Sequence, residues 1–204
     1  MRMASDNSQT RRRVPQRAHG ERRVASLLDA AASVFAERGY DAATMTEVAE
    51  RAEVSIGAVY QYFRNKEALA YALRVQYGNE MDASWSSLET EGDALAVPEL
   101  VERIFDLLIE FMTARPAYIP LLSAPIGYSR DPAARDRLRE RFAKVFQRRK
   151  PELSAEEAKR IANVTLQVVK GLNPLYADAK PRERRALVAE FKTVVTAYLS
   201  ARLD

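Results

Sequence analysis

The chain of 204 residues contains no cysteine, which excludes disulfides, a thiolate nucleophile and a cysteine-bound metal. Its single histidine, His19, leaves histidine-based catalysis and histidine-rich metal sites without a second residue to build on. No apolar run approaches the roughly 18 residues that a membrane span requires. Arg11-Arg12-Arg13 is not followed by an apolar segment, so it does not read as a twin-arginine export signal. No segment alternates in the manner of a strand, and no repeat recurs. A Gly-rich phosphate loop, a nucleophile–base pair and a metal-ligand cluster are equally missing, so neither an enzyme nor a cofactor is expected.

What is present is ordinary for a soluble globular chain: 47% hydrophobic and 29% charged residues, in a length that holds one large domain or two modest ones. The placement of the net charge of +4 says more than its size. Residues 1–24 carry +5, residues 25–75 carry −2, and the remainder carries +1. Residues 1–20 are polar and nearly free of apolar groups, which predicts a disordered basic arm, either a solvated tail or a phosphate-reaching one.

From about Glu21 onward every segment has helical periodicity. Val24, Leu27, Leu28, Ala31, Val34 and Phe35 form a stripe at spacings of 3 and 4. Gly39 suits a left-handed helix end, with Tyr40 packing back on the last turn. Thr44 and Glu47 make a capping box for a short helix whose stripe is Val48, Ala49 and Ala52. Ser55 caps a second short helix, anchored by Val59 and Phe63, while Ile56, Ala58 and Gln61 point elsewhere. A short helix, anchored on one side and apolar on the other, is what a helix-turn-helix places in the major groove.

Val54-Ser55-Ile56-Gly57-Ala58-Val59-Tyr60-Gln61-Tyr62-Phe63, followed by Asn65-Lys66-Glu67-Ala68-Leu69, resembles the DNA-binding signature of the TetR family of bacterial transcription regulators. The match extends upstream through Phe35, Gly39-Tyr40 and Thr44, covering roughly residues 22 to 72. Gly57 lets backbone approach bases closely, Ile56 and Ala58 fit thymine methyls, and Gln61 fits adenine. The resemblance implies phosphate contacts from Tyr60, Tyr62 and Lys66, and from the helix start at Thr44; Ser55 completes the set as the cap of the reading helix. One position departs from the pattern: Glu53 stands where the family's turn has glycine.

The expected fold is all-α with about nine helices: a basic arm (1–20), a helix-turn-helix domain (21–66) and a helical bundle (67–204) for effector binding and dimerisation. Leu100 to Ala114 is apolar on several sides, residues 115–132 carry four prolines, and residues 133–150 form a basic helix. Ser154 with Glu157 opens another helix, expected to end near Gly171 or Leu172, and Pro181 opens the last. A dimer is expected through Ile161, Val164, Val168 and Leu172 together with Phe191, Val195 and Tyr198. Candidate lining residues for an effector pocket are Phe105, Phe111, Met112, Tyr118, Tyr128 and Phe146. Asn163 and Gln167, four apart, are either solvent- or interface-facing amides or polar anchors of that pocket. The expected function is a homodimeric, cytoplasmic regulator, a repressor that leaves a palindromic operator on duplex DNA when a small apolar or aromatic effector binds. The competing reading is an all-helical small-molecule-binding protein without DNA readout; it would show a broken motif, and Glu53 is the one break.

Overall fold

The computed structural model describes residues 16–92, 94–127 and 132–204. Helix α1 (Gln16–Ala42) carries the first apolar stripe, with Leu27, Ala31 and Phe35 fully buried. It begins at Gln16, so the last five residues assigned to the arm are helical, and residues 1–15 lie outside the described part. Its regular course breaks at Gly39 (φ 73, ψ 171), a conformation open to residues without a Cβ, and the Tyr40 ring then returns to within 5.9 Å of Phe35. Helices α2 (Met45–Arg51) and α3 (Ile56–Tyr62) pack on that stripe through Val48, Ala49 and Val59.

Helix α4 (Lys66–Ser84) starts at an Asn65 cap, whose Oδ1 accepts the Ala68 N–H at 2.8 Å. Its Leu69, Ala70, Leu73, Tyr77 and Met81 are buried in one continuous core that runs from the N-terminal helices into the C-terminal half. A 3₁₀ turn (Trp85–Ser87) and the four-residue α5 (Leu88–Glu91) follow α4. There helix α8 (Pro132–Arg149) approaches so closely that a Cβ on Gly92 would lie 2.8 Å from Val145 Cγ1 and 2.6 Å from the Leu88 carbonyl oxygen.

Helix α6 (Val97–Ala114) is apolar on several sides because it runs through the middle of the C-terminal half. It packs against α4 and against α10 (Pro181–Leu203), while α9 (Ala155–Asp178) packs against both α8 (Pro132–Arg149) and α10. The proline-rich segment contributes α7 (Tyr118–Leu122), a single turn wedged between α1, α4 and α9. Pro132 and Pro181 stand first in their helices, where the missing N–H has no intrahelical partner to lose. Pro174 is different. It lies inside α9, which continues to Asp178 past the expected end near Leu172. The extension is held by Tyr176, which packs on the core and lies under the Arg184 guanidinium at 4.7 Å.

Among the described residues no strand is present, and no helix is long and apolar enough to cross a membrane. Of the ten α-helices among the described residues, nine are longer than the single four-residue turn at Leu88–Glu91, in line with the all-α expectation.

Gly92→Ala is expected to destabilise the fold by about 1–3 kcal/mol, the usual cost of overpacking a tight contact, measured by chemical denaturation. Unchanged stability would show that α5 and α8 are free to separate.

Candidate nucleic-acid interface

The two short helices are held by their ends. Thr44 Oγ1 accepts the Glu47 N–H at 3.2 Å, and the Glu47 carboxylate accepts both the Thr44 N–H and the Thr44 hydroxyl at 2.9 Å. These bonds, with Arg38 at 3.5 Å, hold the Glu47 carboxyl below the usual carboxylate range. Arg51 at the end of α2 grips Glu37 of α1 with two hydrogen bonds of 2.7 Å, which lowers the Glu37 pKa as well.

The turn between α2 and α3 is closed by two backbone bonds. The Val54 N–H reaches the Ala49 carbonyl at 3.0 Å, and the Glu53 N–H reaches the Glu50 carbonyl at 3.1 Å. This is a Schellman end, whose pivot takes a left-handed conformation and favours glycine. Here the pivot is Glu53, at φ 54, the one non-glycine residue with positive φ among those described. The chain therefore keeps the ordinary turn and accepts the strain of a Cβ.

Beyond the turn, Ser55 Oγ accepts the Ala58 N–H at 3.2 Å and starts α3. Val59 and Phe63 bury one side of that helix. The other side is open: Ile56, Tyr60 and Tyr62 are 39%, 52% and 42% exposed, and Gly57 and Gln61 are exposed with them. Ala58 is half-buried, nearer the anchored side than its sequence position suggested. Both tyrosine side chains therefore reach solvent.

Lys66 has a role the sequence did not reveal. Its ammonium donates to the Tyr40 carbonyl at 2.7 Å and the Asp41 carbonyl at 2.8 Å, and lies 4.6 Å from the Tyr40 ring. The cation sits at the start of α4 because it serves the carbonyl-rich end of α1, and two of its three donors are engaged there. Arg64 was overlooked in the sequence: it lies just past the Phe63 cap of α3, is exposed, and forms no ion pair among the described residues. Arg22 and Arg23 near the start of α1 are exposed as well.

The residues expected to form a pocket and an interface in the C-terminal half fall in several places. Phe105 and Phe146 fill the core, fully buried, and Phe111 stacks edge-on with Tyr77 and Tyr118. These side chains lie on α6 and α8, whose buried apolar residues pack against one another. Met112 lines a cleft of about 470 Å³ with Pro116, Ile119, Pro120, Tyr176 and Arg184. Tyr128 lies outside the described residues. Gln167 is exposed and Asn163 half-buried, on the outer flank of α9 beside Val164.

The interface set divides in two. Ile161, Leu172 and Val195 are buried within the chain's own core, since they lie on the inner sides of α9 and α10. Val164, Leu175 and Val194 are 40%, 49% and 53% exposed, and Val168, Phe191 and Tyr198 are half-buried at the edge of that outer face.

A two-helix turn, capped at both helices and presenting one side of the second to solvent, is the architecture of a helix-turn-helix protein. Residues 27–73 match the model for bacterial regulatory proteins of the tetR family, and residues 97–199 match the tetracyclin repressor-like C-terminal domain. The chain belongs to the TetR family of transcription regulators, which are not enzymes. It is 40% identical over 77 residues to the A-factor receptor protein of Streptomyces griseus, a match covering 38% of this chain and 25% of that protein. It is 38% identical over 90 residues to the transcriptional activator FasR of Mycolicibacterium smegmatis, covering 43% of this chain and 41% of that one. The matched part thus spans a quarter to two fifths of these relatives' length. In fold it resembles the crystal structure of a TetR-family regulator from Pectobacterium atrosepticum, with TM-score 0.70 and 20% identity over 92% of this chain and 97% of that one.

Replacing Glu53 with Gly is expected to raise stability by about 1 kcal/mol by relieving the left-handed strain, measured by urea titration. A fall in stability would mean that the glutamate side chain contributes something the turn geometry does not account for.

Proposed function

We propose that the protein is a homodimeric transcriptional repressor of the bacterial cytoplasm that reads duplex DNA with α3 and leaves its operator when a small apolar or aromatic molecule binds the C-terminal half. The observation that carries this reading is the open side of α3, with Ile56, Gly57, Tyr60, Gln61 and Tyr62 exposed opposite the buried Val59 and Phe63. Few of these groups donate or accept hydrogen bonds to base edges, so phosphate contacts and DNA shape carry much of the affinity. Tyr60, Tyr62 and Arg64 supply phosphate contacts, joined by the third donor of Lys66 and by the N-terminal basic segment. Thr44 and Ser55 act chiefly by presenting the starts of their helices. We divide the chain functionally into that segment (1–20), the reading head (21–66) and the effector and dimerisation half (67–204).

Dimerisation is supported by the outer face of α9 and α10. Exposed valines and leucine at Val164, Leu175 and Val194, flanked by Gln167, Phe191 and Tyr198, favour pairing with an identical face about a two-fold axis. Release is supported by the junction between the halves. Arg115, at the end of α6, ion-pairs with Glu80 of α4 and lies 4.4 Å over the Phe111 ring. Tyr77 packs beside it, its phenol pushed up to about 12 mainly by burial. Any movement of α6 and α7 is thereby passed to α4, whose first residue adjoins the reading head.

Selection of bound duplexes from a random pool is expected to return a palindrome. Affinity for it should fall about a thousandfold between roughly 50 and 200 mM salt if six or more phosphates are neutralised. An asymmetric site bound by one protomer, or a salt-insensitive complex, would sink the reading. Val194→Arg is expected to turn the dimer into monomers in sedimentation while leaving the helical circular dichroism intact; a persistent dimer would move the interface elsewhere.

A further inference from the structure

Two clefts meet at Arg184. One, of about 470 Å³, runs along the end of α6 and α7 and is walled by Met112, Pro116, Ile119 and Pro120. The other, of about 420 Å³, lies between α6 and α10 and carries Glu102, Asp106, Arg185 and Lys192. Tyr176 and Arg184 line both. In the second cleft the charges answer one another, since Lys192 pairs with Glu102 and, at 3.5 Å, with Asp106. In the first, Arg184 is the sole charged lining residue among those described.

The Arg184 guanidinium is stacked on the Tyr176 ring at 4.7 Å, and its Nε, like those of Arg135 and Arg149, is buried without a hydrogen-bond partner among the described residues. A buried donor left unmatched is costly, and native proteins rarely keep one without a use. Arg184 also stands in the first turns of α10, with Arg182 and Arg185, where the helix dipole disfavours cations and favours an anion. Nε and its neighbouring N–H form a planar fork that matches a carboxylate.

We propose that the first cleft binds an organic carboxylate with an apolar body, its carboxylate on the Arg184 fork and its body against Met112, Ile119 and Pro120. On α10, the 3.6-residue period puts Arg184 and Val188 roughly opposite to Ala186 and Glu190, about 80° from Val194 and on the same stripe as Phe191 and Tyr198. The cleft therefore adjoins the flank of the face assigned to dimerisation. Its consequence for DNA rests on the effector reading above; its ligand chemistry does not. Ile119 and Pro120 belong to α7, which packs on α1 and α4, and Pro116 also lines the junction cleft that holds Gln76, Glu80 and Arg115. A body wedged against α7 acts directly on the contact between the two halves.

The test is calorimetry on the full chain with octanoate and 4-phenylbutanoate, each compared with its neutral amide and with acetate. At least one of the two acids is expected to bind about tenfold or more tighter than its amide and than acetate. Arg184→Met should abolish that preference, whereas Arg182→Gln, which removes an exposed charge from the same turn outside both clefts, should retain it. Arg184→Lys, which keeps the charge without the fork, should fall between; circular dichroism and ligand-free operator affinity of every variant should match the parent. Acids that bind no better than their amides, acetate that binds equally well, or a preference that survives Arg184→Met would each overturn the assignment. Operator affinity is read separately with the acid present. Binding through Arg184 without operator release supports the site and defeats the effector reading; intact operator binding with no acid preference defeats the site alone.

Discussion

A helix of seven residues does not hold its shape in water, because the first turn fixes several dihedrals for one hydrogen bond. Both α2 and α3 have this length. Their persistence therefore depends on burial against the Leu27, Ala31 and Phe35 stripe of α1 and on closure of every free end. Thr44, Ser55 and Asn65 satisfy N–H groups at three helix starts, and the Schellman bonds at Glu53 satisfy carbonyls between α2 and α3. With the ends closed, one side of α3 can remain exposed and apolar without the helix fraying. The open side of Ile56 and Tyr60 is possible because Val59 and Phe63 are so completely committed.

This dependence explains why the N-terminal third was readable in the sequence. A cap followed by a carboxylate three residues later, or an anchor pair four apart, is a local signal that needs no tertiary information. The turn itself was legible for the same reason, but the sequence left open whether Glu53 remodels it or bears the left-handed strain, and the structure keeps the strain. Lys66 was less so. Its cation at a helix start looked like an anion site, but the end of α1, distant by some 25 residues in sequence, supplies two carbonyls to the same spot. Which acceptor a lysine finds is a tertiary question.

The C-terminal half shows the same limit more strongly. Period alone assigns Ile161, Val164, Val168 and Leu172 to one broad stripe, yet Ile161 and Leu172 face inward while Val164 faces out. A helix with apolar residues on two sides serves two surfaces, and the sequence does not say where one ends. The aromatic residues of α6 and α8 meet a related limit: Phe105, Phe111 and Phe146 are equally suited to a core and to a pocket, and all three are buried. Arg184 escaped notice because its significance comes from Tyr176 beneath it and from a cleft assembled by α6, α7 and α9.

The wedge of α7 between α1, α4 and α9 bears on how such a protein can respond at all. A ligand shifts an equilibrium only by the difference in its affinity for the two states, so its site must touch something that differs between them. A ligand enclosed by the Phe105 and Phe146 core would meet side chains that only large repacking can move. One seated against Ile119 and Pro120 meets a single turn of helix, flanked by prolines and lacking side-chain caps at either end. Displacement of so short an element breaks few backbone hydrogen bonds, while its far side bears on α1 and, through Arg115 and Glu80, on α4. The proline-broken segment is thus the part of the bundle where a small binding energy is converted most directly into a movement of the reading head.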